Sequence, residues 1–371
     1  MTTKSWIRCL LCFAVALGMS APAFATLNDS EEPGSVLVFP KFLRGTVATP
    51  DLAGAGQPFS ARTEIEISVS CPKGSTCTRD PFTGFFFDRV RLRAHWVCGG
   101  NNDVICQERD FDLFTTVNGT IAFNAENVPT RPFQITAVPV PPCDKGYLIV
   151  WVVDQFGQPI KFDGLVGDAI IREGDNSAGA YNAIPIQASP FLNTGDLTDV
   201  NMDGHLDFDG SEYSILTGKV IGTVRYNVPN PFGGNQVETF LTLLTLDVRS
   251  NRINNPTFVD LDFFNESESV RSNFTLFFCW EEVSLTDIDE GLVFDPFGAS
   301  MFGNFGRKGL LVSGAAEKEL FIGDDKTGPV TLLGIIETKE RDPSGAPIRE
   351  YSYSLYNDSE PVPTAFEPNS P

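Results

Sequence analysis

Apolar and polar residues alternate one for one along much of this chain, and the alternating runs are short. Thr63-Glu64-Ile65-Glu66-Ile67-Ser68-Val69-Ser70 and Arg89-Val90-Arg91-Leu92-Arg93-Ala94-His95-Trp96-Val97 each put one residue type on one side of an extended backbone and the other type on the opposite side. A helix cannot use that period, because neighbours on a helical face are three and four residues apart. Further β-branched and aromatic runs, bounded by Gly, Pro, Asn or Asp, lie at 35–43, 119–124 and 146–153, and again at 218–227, 237–248, 257–264, 272–280, 309–313, 330–337 and 350–355. With 33 Gly and 26 Pro interrupting 371 residues, no stretch carries a capped amphipathic helix. The pattern predicts an all-β protein of two antiparallel β-sandwich domains, immunoglobulin-like or jelly-roll-like and braced by disulfides.

Residues 1–25 read as a secretory signal peptide. Lys4 and Arg8 make a basic start, an apolar run follows from Cys9 to Met19, and Ala23-Phe24-Ala25 is a small-x-small cleavage site. The expected destination is therefore periplasmic or extracellular. The apolar run is too short to stay in a bilayer, and the Pro-rich end has no apolar segment, so no membrane anchor is expected. The net charge is −21, and loss of a leader containing two bases and no acid makes it more negative still. Such a surface repels phosphate backbones, which excludes a nucleic-acid partner and favours cations. The acidic stretch 193–212 separates two strand-rich blocks. The expected organisation is thus a leader (1–25), an N-terminal sandwich (26–192), an acidic junction (193–212), a C-terminal sandwich (213–356) and a Pro-rich disordered tail (357–371).

Outside the leader stand six cysteines, Cys71, Cys77, Cys98, Cys106, Cys143 and Cys279. An even number in an exported chain reads as disulfides. Cys71 with Cys77 and Cys98 with Cys106 each bracket a polar turn containing glycine, which predicts those two bridges. Elimination then joins Cys143 to Cys279.

The junction contains Asp199-Val200-Asn201-Met202-Asp203-Gly204-His205-Leu206-Asp207-Phe208-Asp209-Gly210-Ser211-Glu212. Oxygen-bearing side chains at the first, third and fifth positions, then glycine for a sharp turn, are what a short loop needs to surround Ca2+ with about seven oxygens. The segment resembles the calcium loops of EF-hands, dockerins and thrombospondin type 3 repeats. That resemblance implies Asp199, Asn201 and Asp203 as ligands, the His205 backbone carbonyl as another, and Asp207 directly or through water. Gly210 stands where those loops carry their closing acid, so Asp209 or Glu212 must substitute. Flanking helices are not predicted, which favours a static structural ion over a switch.

Nothing in the sequence names a reaction. The two histidines, His95 and His205, lie in an alternating strand and in the acidic loop, away from any nucleophile pattern. His95 reads as a surface or structural residue. No zinc pattern, phosphate loop or dinucleotide fingerprint is present. A carboxylate pair for glycoside hydrolysis is not distinguishable among 48 acids. Aromatic residues cluster at 82–87 and at Phe294, Phe297, Phe302 and Phe305, and the second cluster is a candidate binding loop for a protein or glycan partner. Phrases such as Gly34-Ser-Val-Leu-Val-Phe-Pro-Lys41, Gly146-Tyr-Leu-Ile-Val-Trp-Val-Val-Asp154 and Phe278-Cys-Trp280 together resemble a loosely defined group of exported bacterial β-rich proteins without an assigned activity. The resulting expectation is a secreted, non-enzymatic structural, adhesive or interaction protein with a structural calcium site. The alternative is a carbohydrate-binding module or carbohydrate-active hydrolase.

Overall fold

The computed structural model describes residues 31–47, 59–75, 77, 89–99, 106–126, 138–173, 178–228, 234–246, 256–289, 292, 307–318, 329–357, 361–362 and 364–366. The leader and the aromatic residues Phe294, Phe297, Phe302 and Phe305 lie outside them. The fold is all-β and antiparallel throughout. Its first nine strands are β1 (Val36–Val47), β2 (Phe59–Val69), β3 (Arg89–Cys98), β4 (Glu108–Thr116), β5 (Thr120–Asn124), β6 (Lys145–Val153), β7 (Leu165–Glu173), β8 (Ala178–Asn182) and β9 (Ile184–Ile186). They form a sheet of order β4-β3-β6-β1-β2-β7-β8, with β5 on β2 and β9 on β1.

β1 belongs to two layers. Its first part, up to Leu43, pairs with β6, and its end, from Arg44, pairs with β2. The register against β6 slips between Phe39 and Phe42, where Pro40 has no N–H to give a ladder. The sheet therefore folds over on itself, and Leu37, Phe39, Ile65, Ile67, Leu92, Trp96, Leu148 and Val150 fill the space between its layers. Trp96 anchors this core, with the rings of Phe42, Phe111 and Phe123 at 4.9, 5.7 and 6.0 Å.

The second series is β10 (Leu206–Phe208), β11 (Leu216–Thr217), β12 (Val220–Arg225), β13 (Gln236–Leu244), β14 (Thr257–Asn265), β15 (Val270–Phe277), β16 (Trp280–Ser284), the single helical turn α1 (Leu285–Ile288), β17 (Lys308–Lys318), β18 (Pro329–Val330), β19 (Leu333–Arg341), β20 (Pro347–Ser354), β21 (Tyr356–Asn357), β22 (Pro361–Val362) and β23 (Thr364–Phe366). One sheet runs β15-β14-β17-β12-β21, with β18 on β17, and the other β16-β13-β19-β20. Val224, Leu241, Leu243, Val259, Leu261, Phe263, Leu311 and Ile336 are buried together as its core.

The two halves meet along a third apolar cluster. Val36, Val38, Tyr147, Ile149 and Trp151, from the outer face of β1 and β6, join Leu206, Phe208, Leu244, Leu246, Trp280, Leu333 and Phe366. β6 is thus buried on both faces, which is why it reads Gly-Tyr-Leu-Ile-Val-Trp-Val-Val without alternation. Among the described residues no helix is long and apolar enough to cross a membrane.

Two expectations are corrected here. Cys71 does pair with Cys77, but Cys98 joins Cys143 and Cys106 joins Cys279. Cys98 and Cys106 are hydrogen-bonded neighbours, the N–H of Cys106 donating to the carbonyl of Cys98, yet their side chains serve opposite faces of the sheet. Cys98 and Cys143 lie in the first core, and Cys106 and Cys279 in the cluster between the halves, so each thiol bonds on its own face. The tail is also not wholly disordered. Leu206 pairs with Phe366 and Leu216 with Val362, so β22 and β23 return to cover the junction.

Candidate metal centre

The acidic junction folds into a closed loop whose side chains satisfy its own backbone. Asp199 accepts from the N–H groups of Asp203 and Gly204 at 3.1 Å each, and Asn201 Oδ1 accepts from Asp203 at 3.0 Å. Asp203 Oδ1 in turn accepts from the His205 N–H at 2.9 Å. Gly204 has φ +82°, a left-handed conformation that explains glycine at the turn. Asn201 Nδ2 donates to Asp203 Oδ2 at 3.1 Å and to Asp207 Oδ2 at 2.8 Å, drawing the carboxylates to one side. Asp203, His205 and Asp207 consequently bring ligand atoms within 4.8 Å of one another.

Glu212 closes the loop from below. Its Oε1 accepts from the Val200 N–H at 2.8 Å and its Oε2 from the Asp207 N–H at 3.2 Å, and the residue is buried. Burial, helped by the charges of Asp207 and Asp199, pushes its carboxyl up to about 7 against those two backbone donors. Burial and then the Asp203 charge raise Asp207 as well. Asp209 is turned elsewhere, its Oδ1 accepting from the Ser211 N–H and hydroxyl at 2.8 and 2.7 Å. His205 presents its imidazole to the acids, Nδ1 lying 3.3 Å from Asp203 Oδ2.

The loop is pinned from three directions. Leu197 bridges to Ile160, Tyr213 bridges to Ala188, and the Thr198 and Tyr213 hydroxyls are 2.8 Å apart. β23 then pairs with β10 immediately after His205. The donor set of carboxylate and amide oxygens suits a hard cation such as Ca2+, and Asp199, Asn201, Asp203, Asp207 and Glu212 are the oxygen-bearing residues the loop gathers.

Both histidines contact carboxylates. His95 is buried, its Nδ1 3.0 Å from Glu108 Oε2 and its ring 4.8 Å from Trp151 and 5.8 Å from Phe366. It occupies the polar phase of β3, which is open to solvent at Arg89, Arg91 and Arg93 but is covered at His95 by Trp151 and Phe366.

A second charged constellation, not anticipated from the sequence, lies between the halves. Lys41, at the β1 irregularity, is 1% exposed and meets Glu282 of β16 and Glu337 of β19, the latter at 2.5 Å. Lys339 of β19 meets Glu173 of β7. Burial works to discharge Lys41, but Glu282 and Glu337 overcome it and hold the ammonium above the ordinary lysine range. The available signal was charge in apolar phase: Glu337 and Lys339 continue the Leu333–Ile335 side of β19.

No family model and no curated protein matches this chain. A solved structure described as "Biofilm associated protein - BSP domain" is 10% identical, with a TM-score of 0.16, and the match covers 89% of this chain and 60% of that one. That likeness is too low to carry an argument.

Proposed function

We propose that this is an exported, non-enzymatic structural or adhesive protein whose 199–212 loop holds a calcium ion that stiffens the seam between its halves. The observation that carries the reading is the gathering of Asp203, His205 and Asp207 within 4.8 Å, in a loop that the C-terminal strand closes over. Like charges brought together at an exposed site repel unless a cation is shared among them. Three disulfides fit an oxidising compartment, where millimolar calcium fills even weak loops. The acidic surface supports a protein or glycan partner over nucleic acid.

A ligand at about a hundred times its dissociation constant stabilises the folded state by about 2.7 kcal/mol. Calcium should therefore raise the melting temperature relative to EDTA, and Asp203→Ala should remove most of that rise. Identical melts with and without calcium in the unaltered protein would refute the ion.

A further inference from the structure

Glu337 and Glu350 face each other in the charged seam between the halves. Both Oε1 atoms lie over Gly179 of β8, 3.3 and 2.7 Å from where a Cβ would stand, so a side chain there would push the Glu350 carboxyl aside. Glu337 Oε1 and both Glu350 carboxyl oxygens are shielded from solvent and have no hydrogen-bond donor. Two buried carboxylates in that position are strongly repulsive unless a proton lies between them. The groups facing Glu350 are Glu337 and Lys339 of β19 and Glu173 of β7, with Lys41 of β1 and Glu282 of β16 on the far side of Glu337. The two ammonium groups are already engaged by Glu282, Glu337 and Glu173, which leaves Glu350 without a cation of its own.

We propose that Glu337 and Glu350 hold one proton between them under Gly179 of β8, and that this proton is a clasp: its loss as pH rises sets a second buried negative charge against Glu173 of β7 and loosens β19 and β20 from β7 and β8. Ser352 of β20, whose hydroxyl donates to the Ala180 carbonyl at 2.5 Å, marks the same contact. The titration behaviour agrees with the geometry. Burial, then the Glu337 charge, pushes Glu350 up to about 8. Burial would raise Glu337 too, but Lys41 and Lys339 overcome it and hold that carboxyl down at about 2.

The sign follows from linkage. Glu350 keeps its proton when folded and loses it when unfolded, so its contribution is fully present below the ordinary value of 4.5 and is lost as pH rises to about 8. Glu350→Gln supplies a permanent donor of the same shape and cannot titrate. At fixed calcium, the melting temperature of the unaltered protein should fall relative to that of Glu350→Gln between about pH 5 and about pH 8. Amide protection of 178–182 and 347–354, corrected for intrinsic exchange, should drop above that range only in the unaltered protein. Parallel melting curves for the two proteins would overturn the clasp. Should Glu350→Gln not fold, infrared difference spectra of Glu212→Gln decide, because the Glu212 carboxyl, itself pushed up to about 7, no longer contributes. A protonated carboxylic carbonyl band that disappears on raising the pH through about 8 supports the shared proton, and its absence overturns it.

Discussion

Lys41 shows how one residue can set the relation of two halves. Pro40 interrupts the β1–β6 ladder, Trp280 Nε1 donates to the freed Pro40 carbonyl at 2.7 Å, and the backbone irregularity aims the next side chain across the seam. Tyr181 holds it there, its hydroxyl donating to the Lys41 carbonyl and accepting from the Lys41 N–H at 3.3 Å. A buried ion pair adds little net stability over a well-packed apolar pair, but removal of one partner strands the other. Lys41→Met should therefore destabilise the protein by about 3–5 kcal/mol, measured by urea unfolding, because Glu337 would lose its cation while remaining buried. A loss below about 1 kcal/mol would mean that the seam admits water. In the sequence, Lys41 is a lone charge inside the apolar run 35–43, and nothing local reveals that another chain segment covers it.

At the scale of elements, strands that alternate cleanly and strands that are apolar on both faces were both legible in the sequence, as β2 and β6 show. β2 alternates residue by residue in sequence and in burial. β4 was missed because Glu108-Arg109-Asp110 opens it and it buries only Phe111 and Leu113, as an edge strand does. β23 was missed because proline-rich composition reads as disorder, and only tertiary pairing gives Phe366 a place. That side chain is fully buried, 6.0 Å from the Trp151 ring. Phe366→Ala should cost about 3–5 kcal/mol and should lower the amide protection of 206–208, the strand it covers, as read by hydrogen exchange. Since β10 begins directly after His205, the same variant should weaken calcium binding measured by calorimetry.

For the whole molecule, the decisive link is Cys106–Cys279, which spans 173 residues and ties β16 to the loop before β4. The chain-entropy model assigns closure of so long a loop about 5 kcal/mol, and the cluster between the halves adds apolar burial beside it. Non-reducing peptide mapping should recover Cys106 linked to Cys279 and Cys98 linked to Cys143. Cys279→Ser should lower the urea midpoint without abolishing the all-β circular dichroism spectrum. Recovery of Cys98 linked to Cys106 would contradict the two-faced sheet.

The sequence by itself determined the antiparallel all-β class, most strand positions, the even set of bridging cysteines and the oxygen-rich loop at 199–212, because each is written in residues a few positions apart. Only the tertiary structure decided which thiols meet, that His95 and Lys41 are interior, that the tail closes the junction, and that Glu337 and Glu350 share a pocket. Those outcomes depend on which face of a strand a distant segment covers. Local periodicity records that a strand has two faces, but not what lies against each.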